Sequence, residues 1–143
     1  MKFLGHPIHI ILVHFPSALF SLSVFLSYLA RIYEIEQFTI TAVYMLIAGV
    51  VMGWLAGITG LIDLVVVAEN KPHSLKKALW HGGINIVVLL IFTVFAFMHY
   101  KKLPTVEIDN NFKLIIKTIA VVTLMIGNFL GAELILKDKV LEK

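Results

Sequence analysis

Four long apolar runs, parted by short polar breaks, organise this chain. The first extends from about Ile8 to Ala30 and stops at Arg31, Glu34 and Glu36. The second, from about Phe38 to Val67, holds Asp63 as its one charge. The third covers about Leu79 to Met98 and closes on His99, Tyr100, Lys101 and Lys102. The fourth covers about Leu114 to Leu136, with Lys117 near its start and Glu133 near its end. Each is near the roughly 20 residues needed to cross a hydrocarbon core about 30 Å thick. In lipid every backbone N–H and C=O must find an internal partner, so runs of this length form helices. None shows the alternating polarity of a barrel strand. The breaks between them are short, which favours an up-down-up-down order. The pattern therefore predicts an all-α integral membrane protein, a single domain over residues 1–143, built as an antiparallel bundle of four transmembrane helices. We find no tandem repeat or low-complexity stretch.

Composition agrees. Apolar residues form 59% of the 143 and charged residues 15%, where soluble domains run near 45–50% and about 25%. A soluble fold of this size has too large a surface for its volume to hide so much apolar area. With no cysteine, disulfides and thiolate-held metal or iron–sulfur sites are excluded within the chain. A net charge of +3, scattered over loops, argues against nucleic-acid binding. A cleavable leader is not expected, because the first apolar run is long and no small-residue cleavage site follows it.

Charge also predicts an orientation. Lys2, Lys71, Lys76, Lys77, Lys137, Lys139 and Lys143 fall on the face that carries both termini and the second linker, here called side A. Arg31, Lys101, Lys102 and Lys113 fall on the opposite face, side B. Since cytoplasmic loops are enriched in Lys and Arg, both termini are expected in the cytoplasm. Trp80, Tyr28, Tyr33 and Tyr100 stand near run ends, where aromatic belts form.

The candidate chemistry gathers at side A. Threading the runs in alternating directions brings His6, His9 and His14 of the first helix, Asp63 of the second, His81 and Asn85 of the third and Glu133 of the fourth to that face. At 1.5 Å per residue, His14 lies about 7–9 Å inside the start of its helix. His81 and Asn85, four apart, share a helix face. Side B offers His99 and no buried acid on this reading. Ionisable groups inside a span are costly unless paired, and so point to function. The plainer alternative is that Asp63 and Glu133 pair with interfacial cations such as Lys137, and that His6 and His9 sit at headgroup level. Gly49, Gly53, Gly57 and Gly60, with Gly127 and Gly131, make faces for close helix packing, or clear space for a flat cofactor. Pro16 leaves the carbonyl of Leu12 without its helical donor and is expected to kink the helix beside His14.

Several of these stretches resemble a known family. Gly5-His6-Pro7-Ile8-His9, Leu12-Val13-His14-Phe15-Pro16-Ser17-Ala18-Leu19, Gly57-Ile58-Thr59-Gly60-Leu61-Ile62-Asp63, His81-Gly82-Gly83-Ile84-Asn85 and Gly131-Ala132-Glu133-Leu134 are similar to those of a bacterial family catalogued as domain of unknown function 2231. They fall on all four helices in order. Relatives usually carry a second proline after the position of His9, where this chain has Ile10. The resemblance implies a four-span bacterial membrane protein. It also implies a link to electron transfer, since relatives are sometimes fused to a Rieske-type iron–sulfur domain. It supplies no catalytic residues.

The residues support several functions. A haem b held by two imidazoles needs them on different helices, and His14 with His81 is the first-choice pair, with His9 the substitute if His14 points away. A non-haem metal ion would draw on His14, His81, Asp63 and Glu133, with His6 and Asn85 as supporting polar groups. Either makes the chain a redox or binding subunit, working with a redox protein partner or as a homo-oligomer, rather than a stand-alone enzyme. The alternatives are a small proton- or ion-handling transporter and a structural or assembly protein without a cofactor. Hydrolytic and transfer chemistry is not expected, because no nucleophile elbow, phosphate loop or dinucleotide fingerprint occurs.

Overall fold

The computed structural model describes residues 2–3, 6–103 and 107–138, with side chains from residue 8 onward. Helix α1 spans Ile8–Tyr33, α2 Glu36–Asn70, α3 Leu75–Tyr100 and α4 Asn111–Leu136. A single 3-10 turn, Pro72–Ser74, leads into α3. Ahead of α1, the two-residue strands β1 (Lys2–Phe3) and β2 (His6–Pro7) pair antiparallel. All four helices are long and apolar enough to cross a membrane.

All four helices outrun the apolar stretches that announced them. α1 runs on through Arg31 to Tyr33, and α2 gains the polar Glu69 and Asn70. A helix satisfies its own backbone whatever its side chains, so polar ends can project beyond the hydrocarbon. At 35 residues, α2 is about 50 Å long, well over the thickness of that layer. Its start is abrupt. Only Glu34 and Ile35 separate it from α1, and Glu34 holds a left-handed backbone with φ of 53°. On α4 the Asn110 side chain accepts from the Lys113 N–H at 3.0 Å, an N-cap that starts this helix three residues before Leu114.

Contacts between neighbours fix the bundle. Ser23 Oγ of α1 donates to the Ala42 carbonyl of α2 at 2.8 Å, and nearer side A His9 bonds Ala56. Trp54 Nε1 of α2 donates to Thr93 of α3 at 3.2 Å, while Val67 meets Ala78. Thr118 of α4 bonds Tyr28 of α1 at 2.9 Å, and Asn128 Nδ2 donates to Ser17 Oγ at 2.8 Å. In each pair, residue numbers climb one helix as they fall along the next. Phe20 and Phe92 stack at the centre, ring centroids 4.1 Å apart and 8° from parallel. Leu46, Val88, Leu89 and Leu124 pack around them. The outer faces are apolar too. Phe25, Ile58, Leu61, Val94, Phe97, Ile119 and Phe129 are all exposed, as they should be when lipid is the solvent. Trp80, Tyr28, Tyr33 and Tyr100 are exposed as well.

Although the residue pattern shows no tandem repeat, the fold contains one. His9 and His81 are 72 residues apart, and so are Phe20 and Phe92. The groups these histidines touch, Ala56 and Gly60 against Gly127 and Gly131, are 71 apart. The hairpin α1–α2 and the hairpin α3–α4 thus repeat one arrangement in the same direction. Few identities mark it, because helix packing in lipid constrains size at contact points and little else.

Candidate functional site

Two imidazoles define the side A site. His9 Nδ1 lies 2.9 Å from the Ala56 carbonyl of α2, and His81 Nδ1 lies 2.7 Å from the Gly127 carbonyl of α4. A carbonyl oxygen accepts and never donates, so both nitrogens carry the proton and both rings are Nδ1–H tautomers. Their Nε2 atoms keep a lone pair. The ring centroids are 6.3 Å apart and the planes 74° from each other. Histidines that bind metals commonly have this anchoring, with one N–H on a backbone carbonyl and the other nitrogen free.

Glycines make the placement possible. A Cβ on Gly60 would sit 2.7 Å from His9 Cε1, and one on Gly131 would sit 2.6 Å from His81 Cε1. Each lies one turn beyond the carbonyl that its histidine bonds. A methyl there would drive the ring off its acceptor. Asn85, one turn below His81, donates Nδ2 to the His81 carbonyl at 2.8 Å, so the expected shared face of these two residues is seen. The Oδ1 atoms of Asn85 and Asn128 are buried and find no donor.

The other expected site residues lie elsewhere. His14 is exposed, and its Nδ1 turns back to the Ile10 carbonyl of its own helix at 2.6 Å. The ring facing His81 is therefore that of the substitute, His9. The carbonyl used by His14 is that of Ile10, not the Leu12 carbonyl that Pro16 leaves without its helical donor. Glu133 pairs with Lys137 and lies 3.8 Å from Lys77, matching the plainer reading of that acid. Asp63 is half-buried, three residues past Gly60. His6 has its side chain outside the described residues. Among the described residues, no three histidine or acidic side chains converge enough to hold a metal ion. The four-ligand set is not brought together.

Beside Lys77, Asp138 accepts from its ammonium at 3.1 Å, which holds the Asp138 carboxyl below its ordinary range. These pairs lie at the side A surface, half-buried except for the exposed Lys137, and ion pairs so placed contribute little stability.

Side B differs most from expectation. Asp109, in the linker before α4, is 5% exposed, Lys117 1% and His99 4%. Lys117 donates to Asp109 Oδ2, His99 Nε2 lies 3.2 Å from Oδ1, and Lys117 Nζ is 5.3 Å from the centre of the Phe95 ring. The expectation of no buried acid on this face is wrong. Burial alone would raise the Asp109 pKa, but His99 and Lys117 outweigh it and hold the carboxyl at about 2. Asp109 lay in a polar linker and carried no apolar signal. Lys117 gave the one clue, a cation two turns inside a span that requires a partner.

Two clefts lie away from both sites. One is between α3 and α4 beside Val87, Ile91 and Ile119, and the other is beside Tyr28, Arg31 and Asn111.

Four apolar spans packed through small residues, with ionisable groups confined to the two ends, define an α-helical membrane protein. The model of the family described as "Predicted membrane protein (DUF2231)" matches residues 5–143, and the chain belongs to that family. No curated protein matches, and no solved structure does.

Proposed function

We propose that the protein is a membrane redox subunit that holds one haem b between His9 and His81. The observation that carries this is the pair itself: two imidazoles on separate hairpins, each anchored through Nδ1–H to a carbonyl, 6.3 Å apart. Two imidazoles on opposite sides of one metal ion, with bonds of about 2.0–2.1 Å, have ring centres roughly 6 Å apart. Haem would supply one-electron exchange at its iron. The chain supplies the ligands, their tautomer and an apolar surround. Two ligands suffice here, so the absence of a three-ligand cluster among the described residues does not count against haem.

In this reading the protein passes electrons to or from a redox partner near side A. The lysines of that side favour the cytoplasmic face of a bacterial inner membrane. The site sits at one face, which suits a single cofactor rather than a path across the bilayer.

One observation favours a second reading. The His9 and His81 bonds each close a hairpin, α1 to α2 and α3 to α4, as a purely structural polar clasp would. The absorption spectrum of protein purified from haem-supplied cells separates the two. A redox subunit shows a Soret band that moves on reduction and is lost in His9→Ala and His81→Ala. A clasp gives colourless protein, less stable in both variants.

A further inference from the structure

The Asp109–Lys117–His99 cluster takes no part in holding haem between His9 and His81, and it lies at the opposite end of the bundle. α3 places His99 in its last turn, α4 places Lys117 two turns inside its start, and the intervening linker returns Asp109 between them. All three are almost fully buried. Three ionisable groups sequestered together at a membrane boundary are costly to keep, and in such proteins they mark proton or ion sites.

The geometry points to a proton-binding site at side B, in which His99 takes up and releases a proton beside an Asp109 carboxylate that remains anionic. The two oxygens of Asp109 have different tasks. Oδ2 is taken by Lys117. Oδ1 lies 3.2 Å from His99 Nε2 yet has no aligned donor, a buried carboxylate oxygen left incompletely satisfied. An ammonium only donates, so the neutral ring meets Lys117 Nζ with Nε2 as acceptor, and the exchangeable proton enters and leaves at Nε2, facing Oδ1. Hydronium plus neutral imidazole gives water plus imidazolium, with no other reactant. Uptake turns a misaligned neutral contact into an ion pair and supplies what Oδ1 lacks. Lys117 Nζ, 3.5 Å from Nε2, opposes a second positive charge, so Asp109 must balance both cations.

The remaining charges at this end are accounted for. Lys113, one turn from Lys117 on α4, acts on it through space. Arg31 of α1, Glu34 in the connection and Glu36 of α2 are exposed, as are Lys101, Lys102 and Glu107 beside the linker. None replaces Asp109 as the buried counter-charge.

A cluster that only ties down the linker predicts a fixed His99. Nitrogen NMR of histidine-labelled full-length protein in lipid nanodiscs, from pH 5 to 8.5, reads the difference, with His99→Gln assigning the signals. The expected result is one reversible protonation of His99, moved at least tenfold toward weaker proton binding in Asp109→Asn. A His99 that keeps one state across that range overturns the proposal, and so does a titration that Asp109→Asn leaves unchanged. If either variant does not fold, His99→Asn serves for assignment, and the wild-type titration alone still decides whether His99 exchanges a proton. Neither outcome depends on whether haem binds at His9 and His81.

Discussion

At the scale of single residues, the site turns on which nitrogen of each imidazole is committed. His9 and His81 present Nε2 because a carbonyl holds Nδ1, whereas the His14 ring folds back onto its own helix and is exposed. Replacing His14 with alanine should therefore leave any cofactor spectrum unchanged. The glycine next to each ring is the more sensitive probe. Gly131→Ala places a methyl 2.6 Å from His81 Cε1, and relieving such overpacking costs about 1–3 kcal/mol. Thermal melting in detergent should fall accordingly, and the His81 bond to Gly127 should weaken, seen as a changed imidazole nitrogen shift. An unchanged melt and an unchanged shift would contradict the close packing. None of this was legible beforehand. His9, His81, Gly60 and Gly131 could be named, but choosing His9 over His14 depends on helix rotation, which spacing along one apolar helix leaves undetermined because its lipid and protein faces look alike.

Elements explain what the linkers do. The segment between α3 and α4 is pinned through Asp109 into the bundle. Its carboxyl is held at about 2, below its ordinary value of 3.8. A depressed acid contributes stability that is fully present above the unfolded value and is lost as pH falls through the folded one. That window runs from about pH 4 to about pH 2, and the loss should be about 2 kcal/mol. Melting curves across pH 2–5 should show this acid limb, and Asp109→Asn should remove it. Lys117→Met strips the carboxylate of its cation and should cost about 3–5 kcal/mol at neutral pH, the usual penalty for halving a buried pair. At the other linker, Glu34 holds φ of 53°, a left-handed conformation that glycine adopts freely. Glu34→Gly should raise stability by up to about 1 kcal/mol, and a lower melting temperature would count against that strain. The spans themselves were readable from hydropathy, because only helices satisfy their backbone in lipid. Their ends were not, because Arg31, Glu69 and Asn70 are as polar as linker residues while the backbone remains helical. Asp109 was hidden for the same reason: an acid in a polar stretch looks solvated until the chain folds it inward.

The whole molecule is two hairpins of one design, with His9 and Phe20 recurring as His81 and Phe92. Both halves contribute one ring to the side A pair, each anchored in the same way, so the two are equivalent. His9→Ala and His81→Ala should damage the site to a similar degree, and a site that survives either loss intact would argue against the pairing. Orientation belongs to this scale too. A fluorescent protein fused after Lys143 should fluoresce in a bacterial host, and a periplasmic phosphatase fused there should be inactive. Haem binding is read from the visible spectrum of the full-length protein purified from haem-supplied cells, before and after chemical reduction. Haem held by His9 and His81 gives a Soret band that shifts on reduction, abolished by His9→Ala or His81→Ala and kept in His14→Ala. Colourless protein, or a band that depends on His14 instead, would contradict it.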